Sequence, residues 1–413
     1  MTDLLALGGN VSTVKAQNRR AVLLMLRQHE PVSRTRLAQL TGLSTTTITN
    51  LIAELLEQGL VTTDGDSIST QPRGVGRPQT ALRLVPNARH AVGIHIGVGR
   101  IRVALADLHA NLSPTLDLAH PLERPPQEIL VETAALVRQA ITRSGVNPQT
   151  VVGVGIGASG LVNPHTGVNV LAPNLGWRDL PLRDWFTDWL GLPVCVDNNA
   201  RAMALGEAMF GAGREVRTLA FVYARIGVGA GIVVDGRLYR GSAAGAGEIG
   251  HTTIIPHDGP PCRCGNSGCL ETLVSEPAII RLAEELATQN PAGLLADQLQ
   301  NGVGTPIERV FAAARAGDAA TNAMLSERAH YLGLALANLV NVLNPDLIVL
   351  GGIYAQGADL LVPTIEATIR QRAFAGLGEQ VRVQTARFGP YAGVVGAAAL
   401  ALNAFFYQQP ETA

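Results

Sequence analysis

Apolar positions recur at helical spacing through the first sixty residues and in short continuous runs after residue 90. The early pattern predicts a helix over residues 17–28, stopped by Pro31. Ser33 is placed to cap a second helix carried by residues 36–41, Gly42 and Leu43 make a turn, and Ser44 can cap a third by accepting an amide hydrogen bond. In that third helix, over residues 45–58, Ile48, Ile52, Leu55 and Leu56 form one apolar face. Thr45, Thr46, Thr47, Thr49 and Asn50 cover the opposite face near its start. Gly59 ends the helix, and residues 60–63 and 81–85 read as two strands around a Gly/Pro-rich loop.

Farther along, strands alternate with helices. Residues 91–97 and 101–106 suggest a hairpin-like pair, and residues 151–156 begin another strand. A comparable Gly-rich block recurs over residues 219–235, and the run at 345–352 follows a long Ala/Leu/Asn helix. Two such units suggest a duplicated α/β fold with a cleft between lobes. The apolar run at 391–406 is Gly/Ala-rich and shorter than the roughly 20 residues a membrane-spanning helix needs, so it reads as a buried terminal helix.

Composition adds a little. Hydrophobic residues at 47% with 16% charged describe a globular chain rather than a disordered one. The net charge of -1 is uneven: residues 1–90 hold ten Lys/Arg against six Asp/Glu. A modestly basic head on an acidic body suits a DNA-reading module attached to something else. Asp3 and the lack of a basic-then-apolar leader argue against secretion, and the expected compartment is cytoplasmic, with no membrane partner.

Two segments carry candidate chemistry. The first is the winged helix-turn-helix pattern, in which Ser44, Thr45, Thr46, Thr47, Thr49 and Asn50 put small polar groups where base edges and phosphates of a major groove need them. Arg77, held extended by Pro78, is suited to a narrow minor groove. Double-stranded operator DNA is the partner this implies. The second is the stretch from Gly247 to Glu271, where Cys262, Cys264 and Cys269 follow His251 and carboxylates stand at Glu248 and Glu271. Thiolate and imidazole at such spacing suit tetrahedral zinc in a reducing compartment, and fixed carboxylates beside a rigid knot suit the hydroxyl groups of a polyol.

Together these residues resemble the ROK family of repressors, open reading frames and sugar kinases, over about residues 90–405. The resemblance implies an α/β, actin-like (ribonuclease H-like), duplicated two-lobed domain preceded by an all-α winged helix-turn-helix domain. The expected boundaries are 1–85 for the winged module with its linker, 86–200 and 201–385 for the lobes, and 386–413 for a terminal helix packing back on the first lobe. It further implies His251, Cys262, Cys264 and Cys269 as ligands of a structural zinc ion, and Asn174, Asn198, Asn199, Glu248, His251 and Glu271 as the sugar site.

The catalytic pattern departs from the family's kinases. Their Asn-Asp-Ala-Asn run, with Asp as base, is Asn198-Asn199-Ala200-Arg201 here. Their Asp-Ile-Gly-Gly-Thr strand is His95-Ile96-Gly97-Val98-Gly99, and Arg225-Ile226 replace the Gly-Thr ahead of the second glycine run. An amide cannot accept the sugar's proton. The expectation is therefore a sugar-responsive transcriptional repressor without kinase activity, a homodimer or homotetramer whose effector is a sugar or sugar phosphate. An active ATP-dependent sugar kinase that also binds DNA is the alternative, and a sensor that docks a transport protein is a third.

Overall fold

The computed structural model describes residues 11–67 and 80–408. It opens with three helices, Val11–His29, Arg34–Thr41 and Thr45–Glu57. The first begins well before residue 17, because its opening turns are largely exposed and give no apolar period. Local chemistry sets the other ends. The Ser33 hydroxyl accepts the Arg36 N–H at 3.2 Å, and Ser44 accepts the Thr47 N–H at 3.1 Å. Gly42, at φ 70°, closes the second helix in the left-handed region that favours glycine. Ile48, Leu51, Ile52 and Leu55 are buried against the first two helices, and Leu56 is half-buried. Strands Val61–Ser67 and Thr80–Leu84 pair antiparallel, so a two-stranded wing joins the helical module.

Two five-stranded sheets follow. The first runs Leu112–Ala119, Arg100–Asp107, His90–Gly97, Val151–Ala158, Val194–Asn198. The second runs Arg237–Tyr239, Val228–Val234, Thr218–Ala224, Leu347–Gly352, Arg382–Thr385. In each, three antiparallel strands are followed by two parallel ones, the same order used twice. This is the duplicated α/β plan that the Gly-rich blocks suggested.

Two helices join the halves. The central helix Asn199–Phe210 and the terminal helix Ala392–Leu402 lie against each other, and the terminal helix also covers the first sheet. Small residues make that contact: a Cβ on Gly155 would sit 1.9 Å from the Ala397 carbonyl oxygen. Every residue of Ala392–Leu402 is buried. Among the described residues only Gly389–Tyr407 is long and apolar enough, by length and composition, to cross a membrane, and most of it lies inside the fold.

The leading module is docked on this body. Gln28 Nε2 donates to the Arg214 carbonyl at 2.8 Å, and the Arg214 guanidinium returns a bond to the Arg27 carbonyl at 2.7 Å. Glu30 pairs with His109 at 2.7 Å. The Arg27 guanidinium lies against the rings of Phe210, 5.6 Å away, and Tyr407, 5.1 Å away.

Candidate ligand pocket and metal centre

A pocket of about 460 Å³ lies between the lobes, within the size range of small-ligand sites. Asn174, Asn198, Asn199, Glu248, His251 and Glu271 all line it. The sequence motif around Glu248 is fixed by steric need. Gly247 and Gly250 lie flat on strand Val228–Val234, where a Cβ would fall 2.0 Å from the Ala230 carbonyl oxygen and 2.1 Å from that of Val228. Ala230 N–H donates to the Gly247 carbonyl at 2.7 Å, holding the loop down. Glu271 accepts the Val228 N–H at 2.9 Å. Burial raises the Glu248 carboxyl above its ordinary range, against the pull of His251.

The two asparagines reach the pocket partly spent. Asn198 caps the central helix, its oxygen accepting the Ala200 and Arg201 N–H groups at 2.8 and 3.3 Å, while its amide donates to the Gly160 carbonyl at 2.9 Å. Asn199 accepts the Ala200 N–H at 2.8 Å and donates to the Ser159 hydroxyl at 3.1 Å. A side-chain amide has two N–H donors, so each residue keeps one for a ligand.

Asp197, two positions before Asn199, is committed elsewhere. It receives Arg201 Nε at 2.6 Å, Arg240 Nε at 2.9 Å and the Asn198 N–H at 2.8 Å. Arg201 in turn donates to the carbonyls of Ala244, at 2.6 Å, and Val162, at 3.2 Å. It thereby ties the loop before Glu248 to the opposite lobe. The sequence reading passed over Arg201. Its spacing from Asp197, i to i+4 into a helix, was the available signal.

At the other end of the pocket stands His95, where the kinase pattern has Asp. Burial pushes its imidazole down to about 4, with Arg102 and Arg225 acting the same way, so the ring is neutral near pH 7. Its Nε2 is buried without a hydrogen-bond partner. Arg225, also on the pocket wall, makes a loose 3.7 Å ion pair with Glu276.

Beside the pocket, one donor atom each from His251, Cys262, Cys264 and Cys269 lies within 4.8 Å of every other. His251 Nδ1 and Cys262 Sγ are 3.7 Å apart, as are the sulfurs of Cys264 and Cys269. Tetrahedral zinc with bonds of about 2.0–2.3 Å requires ligand separations of roughly 3.5–3.8 Å, so the set fits a metal ion. His251 also lines the pocket, which leaves its Nε2 for a ligand. Between the cysteines, Arg263 extends to Asn174 and donates to its side-chain oxygen at 2.9 Å.

On the third helix Thr45, Thr46, Thr49 and Asn50 are exposed, and Thr47 is half-buried. Thr49 donates to the Thr45 carbonyl at 2.8 Å, and the Ser44 and Thr47 hydroxyls share a bond of 2.8 Å. Thr46 and Asn50 thus stand out as exposed polar side chains near the start of that face. Arg77 lies outside the described residues.

Comparison with known proteins agrees with both parts. Residues 91–404 match the ROK family, and residues 16–62 match the winged helix-turn-helix DNA-binding family. A putative xylose repressor from Caldicellulosiruptor sp. (strain Rt8B.4) is 33% identical over 398 residues, 96% of this chain and 98% of that protein. A crystal structure of a ROK family transcriptional regulator, a homologue of the E. coli MLC protein, superposes with a TM-score of 0.80 at 28% identity, covering 96% of this chain and 97% of the other. The Streptomyces griseus ROK glucokinase in complex with glucose and AMPPNP gives 0.67 at 31% identity, over 76% of this chain and 99% of its own. The glucokinase thus leaves about a quarter of this chain unmatched, whereas the two repressor-type relatives span nearly all of it. The chain belongs to the ROK family and has the build of its DNA-binding transcriptional regulators, a winged helix-turn-helix ahead of a ROK domain.

Proposed function

We propose that the protein is a sugar-responsive transcriptional repressor of carbohydrate genes that has no kinase activity. One observation carries the reading: a pocket lined by Asn174, Glu248, His251 and Glu271 has Asn199, His95 and Arg225 on its wall where kinase chemistry needs an acid or close backbone access. A general base is worth about 10²–10⁴ in rate, and Asn199 cannot act as one. Asp197 is engaged by Arg201 and Arg240 and offers no substitute.

In this reading Asn174, Asn198, Asn199, Glu248, His251 and Glu271 bind the sugar. His251, Cys262, Cys264 and Cys269 hold structural zinc, which stiffens the wall bearing the two glutamates. Thr46, Thr47 and Asn50 reach bases, flanked by Ser44, Thr45 and Thr49, with Arg77 directed to the minor groove. The winged module spans residues 1–85, the lobes 86–200 and 201–385, and a terminal segment 386–413. A cytoplasmic homodimer or homotetramer on a pseudo-palindromic operator suits the module. Since one relative is called a putative xylose repressor, D-xylose is the first effector to try.

The test is a gel-shift titration on the gene's own upstream DNA with D-xylose, D-glucose and amino sugars, run beside a coupled ADP-release assay. DNA release by a sugar, without turnover, is expected. Turnover above roughly 0.1 per second overturns the loss of kinase activity. DNA binding that no sugar relieves overturns the sugar reading and favours a protein partner.

A further inference from the structure

The pocket does not end at Asn174 and Arg263. A second cavity of about 510 Å³ abuts it, and four residues, Asn174, Ile226, Arg263 and Glu271, belong to both walls. The 2.9 Å hydrogen bond from Arg263 to Asn174 crosses that shared boundary. It is a bar between an inner and an outer chamber.

Both ends of the bar are anchored on tight loops. Asn174 lies in the turn between strands Val168–Ala172 and Trp177–Leu180, where the Leu175 N–H donates to the Ala172 carbonyl at 3.0 Å. Arg263 projects from a turn closed by the Cys262 N–H to the Asn266 carbonyl at 2.8 Å and the Gly265 N–H to the Cys262 carbonyl at 3.0 Å. The bar itself is a single bond from an exposed guanidinium to a neutral amide, so the loops stay in place when it opens.

The outer chamber suits a sugar ring. Pro260, Pro261 and Pro277 offer flat apolar surface to ring C–H groups, while Thr272, Ser275 and Arg281 offer hydroxyl and guanidinium donors. We propose that Arg263 sets the length of saccharide the protein recognises. With the bar closed, the inner chamber takes one monosaccharide. The outer chamber is a second sugar subsite, reached only when Arg263 leaves Asn174. This rests on the inner pocket being a sugar site.

Calorimetry with the full chain tests it, using D-xylose and D-glucose against xylobiose, maltose and cellobiose. The wild type should bind a monosaccharide about tenfold or more tighter than its disaccharides. Arg263→Gly should bring one disaccharide to within about threefold of that monosaccharide, with metal content unchanged. Adding Arg281→Ala to Arg263→Gly should remove the gain while sparing the monosaccharide. Equal binding of both sizes by the wild type, or an unchanged ratio in Arg263→Gly at full metal content, overturns the proposal and leaves the repressor reading intact. A wild type that binds no sugar at all overturns that reading and this one with it. If Arg263→Gly loses its metal, Arg263→Lys, which keeps the stem and loses the planar fork, must still raise disaccharide affinity.

Discussion

Replacing Asp197 with Asn measures what the buried ion pair contributes to the pocket. Asp197 and Arg201 are each 1% exposed, with Nε and Oδ1 2.6 Å apart. Removing the carboxylate leaves a buried guanidinium without its counter-charge, which costs about 3–5 kcal/mol. That is a large share of the ~5–15 kcal/mol by which folded proteins are usually stable. Arg240 binds the same carboxylate but is 37% exposed, so Arg240→Ala should cost only about 0–1 kcal/mol. Asp197→Leu combined with Arg201→Met removes both charges at similar volume and should recover most of the loss. Function should not recover with it, because Ala244 then loses its tether and the loop before Glu248 is freed. Sugar affinity in the double variant should fall about tenfold, equivalent to ~1.4 kcal/mol. Urea melts followed by fluorescence of the chain's three tryptophans, Trp177, Trp185 and Trp189, give the stabilities, and calorimetry gives the affinities. An Asp197→Asn variant that loses less than ~1 kcal/mol, or a double variant with full sugar affinity, would refute the reasoning.

Other expectations follow from neighbouring contacts. Cys264→Ser should cut the sugar's effect on DNA binding about tenfold while sugar-free DNA affinity changes little; equal loss of both in a gel-shift titration, with the protein folded, would sink the coupling of metal to pocket. Ser44→Ala removes the cap on the third helix and should cost about 1 kcal/mol in thermal melts, whereas Asn50→Ala should leave the melt unchanged and weaken operator binding. The Glu30 contact raises His109 above the ordinary histidine value near 6.5. Its stabilising effect is therefore complete below about pH 6.5 and fades as pH climbs through the raised value; His109→Gln should flatten that part of the melting profile. Asn199→Asp alone should yield no ADP release, since His95 and Arg225 remain, and measurable turnover would contradict that.

Much of the fold was readable because local rules set it. Ser33, Gly42 and Ser44 act on their immediate neighbours, and the third helix buries the face its period marked. The metal set was legible for the same reason, three of its four donors falling within eight residues. What stayed hidden depends on contacts distant in sequence. Arg263 meets Asn174 across 89 positions, and Arg201 reaches carbonyls 39 and 43 positions away. Asn198 was read as a ligand because a motif suggested it, yet an Asn just before a helix is also a favoured cap, and most of its amide is used that way.

The docking of the first helix limits how the molecule can be cut. The carbonyls of Arg27 and Gln28, at the end of that helix, are satisfied by Arg214, and Arg27 is sheltered by Phe210 and Tyr407, all residues of the body behind it. Residues 1–85 are therefore not a portable cassette. Excised alone, they would bare a helix end and an arginine cage with one wall missing. A chimera built from two relatives would keep its grip on DNA only if the receiving body carried the same cap and cage.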